Sequence, residues 1–259
     1  MRNQEQSVKP ISIGSSLLIF GVPGVVIYAG VHLLVPILVE YGIPVIFAWS
    51  ACVLIPTVTN AIAVLALYWH QEKPDWSTFI RRFRLQKLRR KHRWLIPLCF
   101  VLILVFNEIM AWTIPLLSHL PIFSPAELTP EIFRDPYQAL SSGTPTFMDI
   151  PLMSKNWWLL PFWTVWVVFG ALGEELVWRG YLLPRHEATY GKWAWLVNGV
   201  LWNVPFHLYT LSNFFSDMPF YLILPFIVQH IKNTWFAIFI HAMMISMAYV
   251  IIAAGLMGS

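Results

Sequence analysis

Charge is what this sequence has least of. Only 12% of its 259 residues are Asp, Glu, Lys or Arg, whereas 58% are hydrophobic; an ordinary soluble domain carries about 25% charged residues. A chain so poor in charge cannot cover itself for water, which excludes cytosolic enzymes of the usual kind, coiled coils and disordered regulators. Cysteine is equally scarce. Cys52 and Cys99 are the only two, each inside an apolar run, so no disulfide framework and no thiolate metal site is expected. There is no H-E-x-x-H helix, no internal repeat and no low-complexity tract. The net charge of +4 does not point to nucleic acid, because nine of the 17 Lys and Arg residues fall between Lys73 and Arg93, in one loop.

What the chain does have is long apolar runs. A helix needs about 20 mostly apolar residues to cross the hydrocarbon core of a bilayer. Runs near 12–39, 43–69, 95–118, 158–183, 193–212, 219–231 and 234–257 meet this requirement, the sixth being short. The expected fold is therefore all-α: a polytopic transmembrane bundle of about seven spans, forming one integral membrane domain over 1–259. The first run is too long for a signal-peptide core and no small-residue cleavage site follows it, so it is expected to remain. Lys and Arg mark cytoplasmic loops. The 73–93 loop and the N-terminal tail, with Arg2 and Lys9, are assigned to the cytoplasm together with Arg185, Lys192 and Lys232. The segment 119–157 falls on the opposite side; there Glu127, Glu131, Asp135 and Asp149 outnumber Arg134 and Lys155. Six prolines, at 121, 125, 130, 136, 145 and 151, make that segment an irregular loop. Trp69, Trp94, Trp157, Trp158, Trp193 and Trp235 stand at span ends, as an interfacial belt requires.

The basic loop interleaves Trp76, Phe79, Ile80, Phe83, Leu85 and Leu88 with its arginines and lysines. A helix there is expected to lie in the interface with its cations against anionic lipid headgroups; the plainer reading is a solvated orientation signal.

Ionisable residues within a span are costly and mark function. The densest group is Gly173-Glu174-Glu175-Leu176-Val177-Trp178-Arg179-Gly180. Two adjacent carboxylates in an apolar helix do not readily both carry charge. Arg179, four residues after Glu175, shares its helix face and can pair with it, leaving Glu174 about 100° around the helix and free to act as a base. A plainer reading is a buried ion-pair cluster that locks helix packing. Depth argues for more: at 1.5 Å per residue, Glu174, His207 and His241 lie about 15, 21 and 10 Å below the surface, so all three can meet within the bilayer. His32, His119 and His230 read as helix-to-helix hydrogen bonds. Glu108, beside Asn107, reads as a satisfied polar contact.

The order Glu174-Glu175-x-x-x-Arg179-Gly180, then His207, then Lys232-Asn233-Thr234-Trp235-Phe236-Ala237 leading into His241-Ala242, resembles the CPBP family (CAAX proteases and bacteriocin-processing enzymes), also called the Abi family of glutamic intramembrane proteases. The resemblance covers roughly 160–250 and implies a catalytic core over 160–257. It implies a membrane-embedded endopeptidase in which Glu174 is the general base, Glu175 and Arg179 orient it, and His207 and His241 hold water or stabilise the oxyanion. The implied partner is a membrane-associated protein or peptide. Two positions depart from the family pattern. Asn203 stands where the family usually has Phe or Trp, with Trp202 adjacent, and Ile245 stands where it often has Asn; Asn203 and Ser246 are the available substitutes. Losing an oxyanion donor costs about 3 to 4 kcal/mol of transition-state stabilisation.

No cofactor is required by this reading, although the same carboxylates and histidines could hold Zn²⁺ as His₂Glu with an open water position. The alternative from another class is a non-proteolytic membrane protein. It would be either a transporter using the cluster as a proton or metal relay, or an inactive relative serving as an immunity or scaffold factor.

Overall fold

The computed structural model describes residues 8–124, 126–130 and 146–258. Hydrocarbon offers backbone groups no partners, so each apolar run closes its hydrogen bonds internally as helix. The first helix, α1 (Ile13–Glu40), starts where the Ser12 hydroxyl accepts from Ser15 N at 3.1 Å. It absorbs Pro36 with a π turn at Gly30–Leu34. Next come α2 (Val45–Glu72), the short α3 (Trp76–Arg82), α4 (Arg90–Ala111) and α5 (Thr113–Ser118). Two strands, β1 (Thr146–Phe147) and β2 (Ile150–Pro151), pair antiparallel. They precede α6 (159–190), α7 (194–206), α8 (Phe214–Ile231) and α9 (Thr234–Gly258).

Among the described residues, six continuous helical segments are long and apolar enough to cross a membrane. The fourth, Leu159–Phe206, reverses at Gly191, whose φ of +56° suits a residue without a side chain, and so supplies both α6 and α7. The arms are thus the seven expected. The short one is the fifth rather than the sixth. α7 rises about 20 Å over its 13 residues, because Pro205 lacks a donor and the backbone leaves helical geometry at His207 (φ −97°, ψ 31°). A 3-10 turn at Leu208–Asn213 then joins α7 to α8 as an antiparallel hairpin whose tip packs against α1 and α5. α7 is tied to α6 by Asn198 Nδ2, which donates to Trp178 O at 3.0 Å, and His186 links Asn198 to Ser16 of α1. α1 lies close enough to α7 that a Cβ at Gly24 would run into Pro205 O.

One end of the bundle collects the basic residues. Arg84 donates twice to Glu187, both at 2.7 Å, and Lys232 joins the same carboxylate. Arg82 and Arg185 share Glu72, and Ile11 N donates to Thr189 Oγ1. The N-terminal segment, the 73–93 loop, the α6–α7 turn and the α8–α9 junction therefore share an end, as the charge pattern required. The loop does not lie apolar side down on lipid along its first half. Phe79 and Phe83 are buried against Tyr68, and Leu88 is buried as well.

At the other end the expected irregular loop is partly ordered. Phe147 packs edge-on to Trp163, and Leu152 fills the space beside Gly255. Pro125, Glu131, Arg134, Asp135, Pro136 and Pro145, like Arg2, lie outside the described residues. Outward-facing Leu, Ile, Val and Phe cover α1, α2 and α4, and Trp69, Trp94, Trp157 and Trp193 are exposed near the ends of the arms.

Candidate functional site

The Glu174-Glu175 pair sits at mid-length of α6 on a single α turn, Leu172–Glu175, between π stretches at Val167–Ala171 and Leu176–Leu182. Pro184 has no N–H for the carbonyl four residues before it, Gly180, which accounts for the widened second stretch. The two glutamates point apart. Glu175 is wholly buried; its Oε1 accepts from His241 Nδ1 at 2.9 Å, and its Oε2 lies 3.3 Å from Arg179 Nε. That second contact is an ion pair at hydrogen-bond distance but not at hydrogen-bond angle, so Glu175 Oε2 and the three guanidinium nitrogens have no hydrogen-bond partner among the described residues. The Arg179 guanidinium lies instead on the face of Trp202, 3.7 Å from the ring centre.

Glu174 is half-buried, and two indoles hold it. Trp202 Nε1 donates to Oε2 at 2.8 Å and Trp178 Nε1 to the same oxygen at 3.3 Å. Oε1 has no hydrogen bond among the described residues and remains open to an incoming donor such as water. His207 turns Nδ1 to the Trp202 carbonyl, 2.8 Å away. A carbonyl only accepts, so Nδ1 carries the proton and Nε2 keeps a lone pair when the ring is neutral. The two imidazoles flank the Trp202 ring, His207 at 5.8 Å and His241 at 5.5 Å between ring centres.

All five expected residues, Glu174, Glu175, Arg179, His207 and His241, therefore gather around one indole. Trp202 stands out in the sequence only as the neighbour of Asn203, and nothing in the sequence assigns Trp178, Tyr209, Asp217 or Tyr221 to the site. Tyr221 packs against Trp202 and His207, with ring centres 4.4 and 4.8 Å away; Tyr209 and Asp217 lie within electrostatic reach of it. The signal for Asp217 was its place in an apolar helix, hidden because α8 starts at Phe214, earlier than expected.

Other expectations are corrected. Glu108 is exposed and has no partner among the described residues, so it is no packed polar contact. His32 stacks on Tyr28 and His230 bonds Phe226 O, contacts within their own helices. Asn203 donates to Phe214 O and cannot also serve an oxyanion through that hydrogen. Ile245 turns its side chain toward Gly170 and its carbonyl to Trp163 Nε1. Among the described residues no three His, Cys, Asp or Glu side chains come together as metal ligands.

The fold is that of a polytopic helical membrane protein in whose interior paired carboxylates, an arginine and two histidines converge. Residues 156–247 match the sequence profile of a family described as type II CAAX prenyl endopeptidase Rce1-like. This bears out the resemblance read from the motifs, and it supports protease activity and an integral, multi-pass membrane protein. No curated protein and no solved structure matches the chain.

Proposed function

We propose that this protein is an intramembrane endopeptidase that hydrolyses a peptide bond of a membrane-associated or lipidated protein or peptide, with Glu174 as the base. The observation that carries the reading is the asymmetry of the glutamate pair. Glu175 is spent on His241 and Arg179, whereas Glu174 is immobilised through one oxygen and offers the other. In the proposed reaction Glu174 Oε1 takes a proton from water, and the hydroxide adds to the scissile carbonyl carbon. The proton then passes to the amide nitrogen as the C–N bond breaks, leaving a carboxylic acid and an amine, between which the acid's proton moves to give a carboxylate and an ammonium group. His207 Nε2, with its lone pair, holds the water. His241, its Nδ1 proton fixed by Glu175, donates from Nε2 to the oxyanion when it bears a second proton. Glu175 and Arg179 orient and neutralise.

The catalytic core is 160–257, and the basic end of the bundle, with the N-terminus and the 73–93 loop, faces the cytoplasm. Ile245 favours a second reading, a non-proteolytic scaffold, because no amide stands where the family often has one. One experiment separates the two: a proteomic comparison of membranes carrying wild type and Glu174→Gln at equal levels. An uncut substrate that accumulates in the variant supports proteolysis. Identical proteomes with biological activity retained would assign the protein to the scaffold class.

A further inference from the structure

The second half of the basic loop carries charge that nothing in the bundle neutralises. Arg82 and Arg84 are paired with Glu72 and Glu187, yet Lys87, Arg89 and Lys91 have no ion-pair partner among the described residues. These three line a cavity of about 500 Å³ together with His92, His230 and Lys232, and no Asp or Glu lines it. The cavity is built rather than incidental. Asn233 Nδ2 donates to Gln86 O at 2.7 Å, Thr234 N to Arg84 O at 2.9 Å and Trp235 Nε1 to Leu85 O at 2.9 Å, which knits the loop to the α8–α9 junction. His230 uses Nδ1 on Phe226 O, so Nε2 is its remaining atom for a ligand. Lys87 also borders a second hollow of about 470 Å³, formed by Leu88, Ile96, Trp235 and Phe239 with Arg93 at its edge. Ile96 and Phe239 belong to membrane-crossing helices, so this hollow opens where acyl chains lie.

We propose that this end of the bundle holds one anionic phospholipid, its phosphate in the basic cavity and an acyl chain in the adjoining apolar groove. Charge complementarity selects the headgroup, since a cavity lined by Lys87, Arg89 and Lys91, which lack ion-pair partners among the described residues, by Lys232, which is paired with Glu187, and by no carboxylate favours a phosphate over a zwitterion. The contiguous groove selects an amphiphile, because a soluble phosphate or a nucleic acid would leave it empty. The proposal does not depend on proteolysis.

The test uses the full-length protein in detergent, with bound lipid counted by native mass spectrometry against phosphatidylglycerol or phosphatidylcholine of the same chains. Wild type is expected to retain one phosphatidylglycerol at least about tenfold more tightly than phosphatidylcholine. The Lys87→Gln, Arg89→Gln, Lys91→Gln triple variant is expected to lose that preference. Phe239→Gln, which alters only the groove, is expected to weaken retention severalfold, and it decides the matter alone if the triple variant does not fold. Glycerol 1-phosphate, the headgroup without chains, is expected not to displace the lipid. Equal retention of the two lipids by wild type, unchanged retention by either variant, or displacement by glycerol 1-phosphate would each overturn the proposal.

Discussion

Trp202 does more than pack. One face supports the Arg179 guanidinium, its N–H holds Glu174 and its carbonyl fixes the tautomer of His207. Trp202→Phe keeps a ring under Arg179 but removes the donor. A hydrogen bond to a charged group is worth about 1.5 to 3 kcal/mol, so cleavage should fall roughly 10- to 100-fold with little change in thermal unfolding, measured on the substrate found by proteomics. Glu174→Gln should cost at least about 100-fold, the scale of general-base loss, with the double variant His207→Ala, His241→Ala little worse than either single one. Arg179→Ala should instead show in stability: it strands Glu175 in the interior, a loss of about 3 to 5 kcal/mol, read as a lowered unfolding temperature. The five expected site residues were legible because ionisable groups stand out against apolar runs. Trp202 was not, since a chain with 14 tryptophans, several of them buried, gives no contrast by which to pick the one on which the site is assembled.

Among the elements, the close crossing of α1 and α7 governs where His207 sits. Gly24→Ala drives a methyl group into Pro205 O, so α1 must retreat. We expect a lower unfolding temperature together with lost activity, whereas Gly14→Ala, whose new Cβ would meet only Ser12 Oγ at 3.9 Å, should behave as wild type. At the start of α3, Asp75 accepts from Thr78 N at 2.7 Å, and this cap holds its carboxyl below the usual carboxylate range. The sign follows: the cap's contribution is complete above the ordinary carboxylate pKa and disappears as pH falls through the lowered one. Protection of the Thr78 amide, taken relative to its intrinsic exchange rate, should therefore be lost only in acid, and Asp75→Ala should remove it at neutral pH as well. The arms were legible from hydropathy, but their internal geometry was not. Pro184 and Pro205 could be seen in the sequence, yet whether a proline kinks a helix or is absorbed by a π turn depends on the helices packed beside it.

For the whole molecule, the charge pattern gave the shared basic end, because loop cations follow a simple rule. It did not give the docking of the loop, since Phe79 and Phe83 can bury against protein as readily as against lipid and only the tertiary contacts decide. If the basic end is cytoplasmic, a cysteine placed at Ser77 should resist impermeant thiol reagents added outside intact cells and react once the membrane is opened; reaction from outside would invert the topology. The pairing of Arg84 and Lys232 with one carboxylate, Glu187, also sets an order of events during synthesis. Arg84 leaves the ribosome more than a hundred residues before Glu187, and Lys232 follows later still. Until then the loop has no acidic partner at that site, and the pocket that receives Phe83 lacks Tyr181 and Gly180. The basic loop is thus a latch that closes only after more than a hundred further residues have been made, and nascent chains ending before Gly180 should expose it to protease while finished chains protect it.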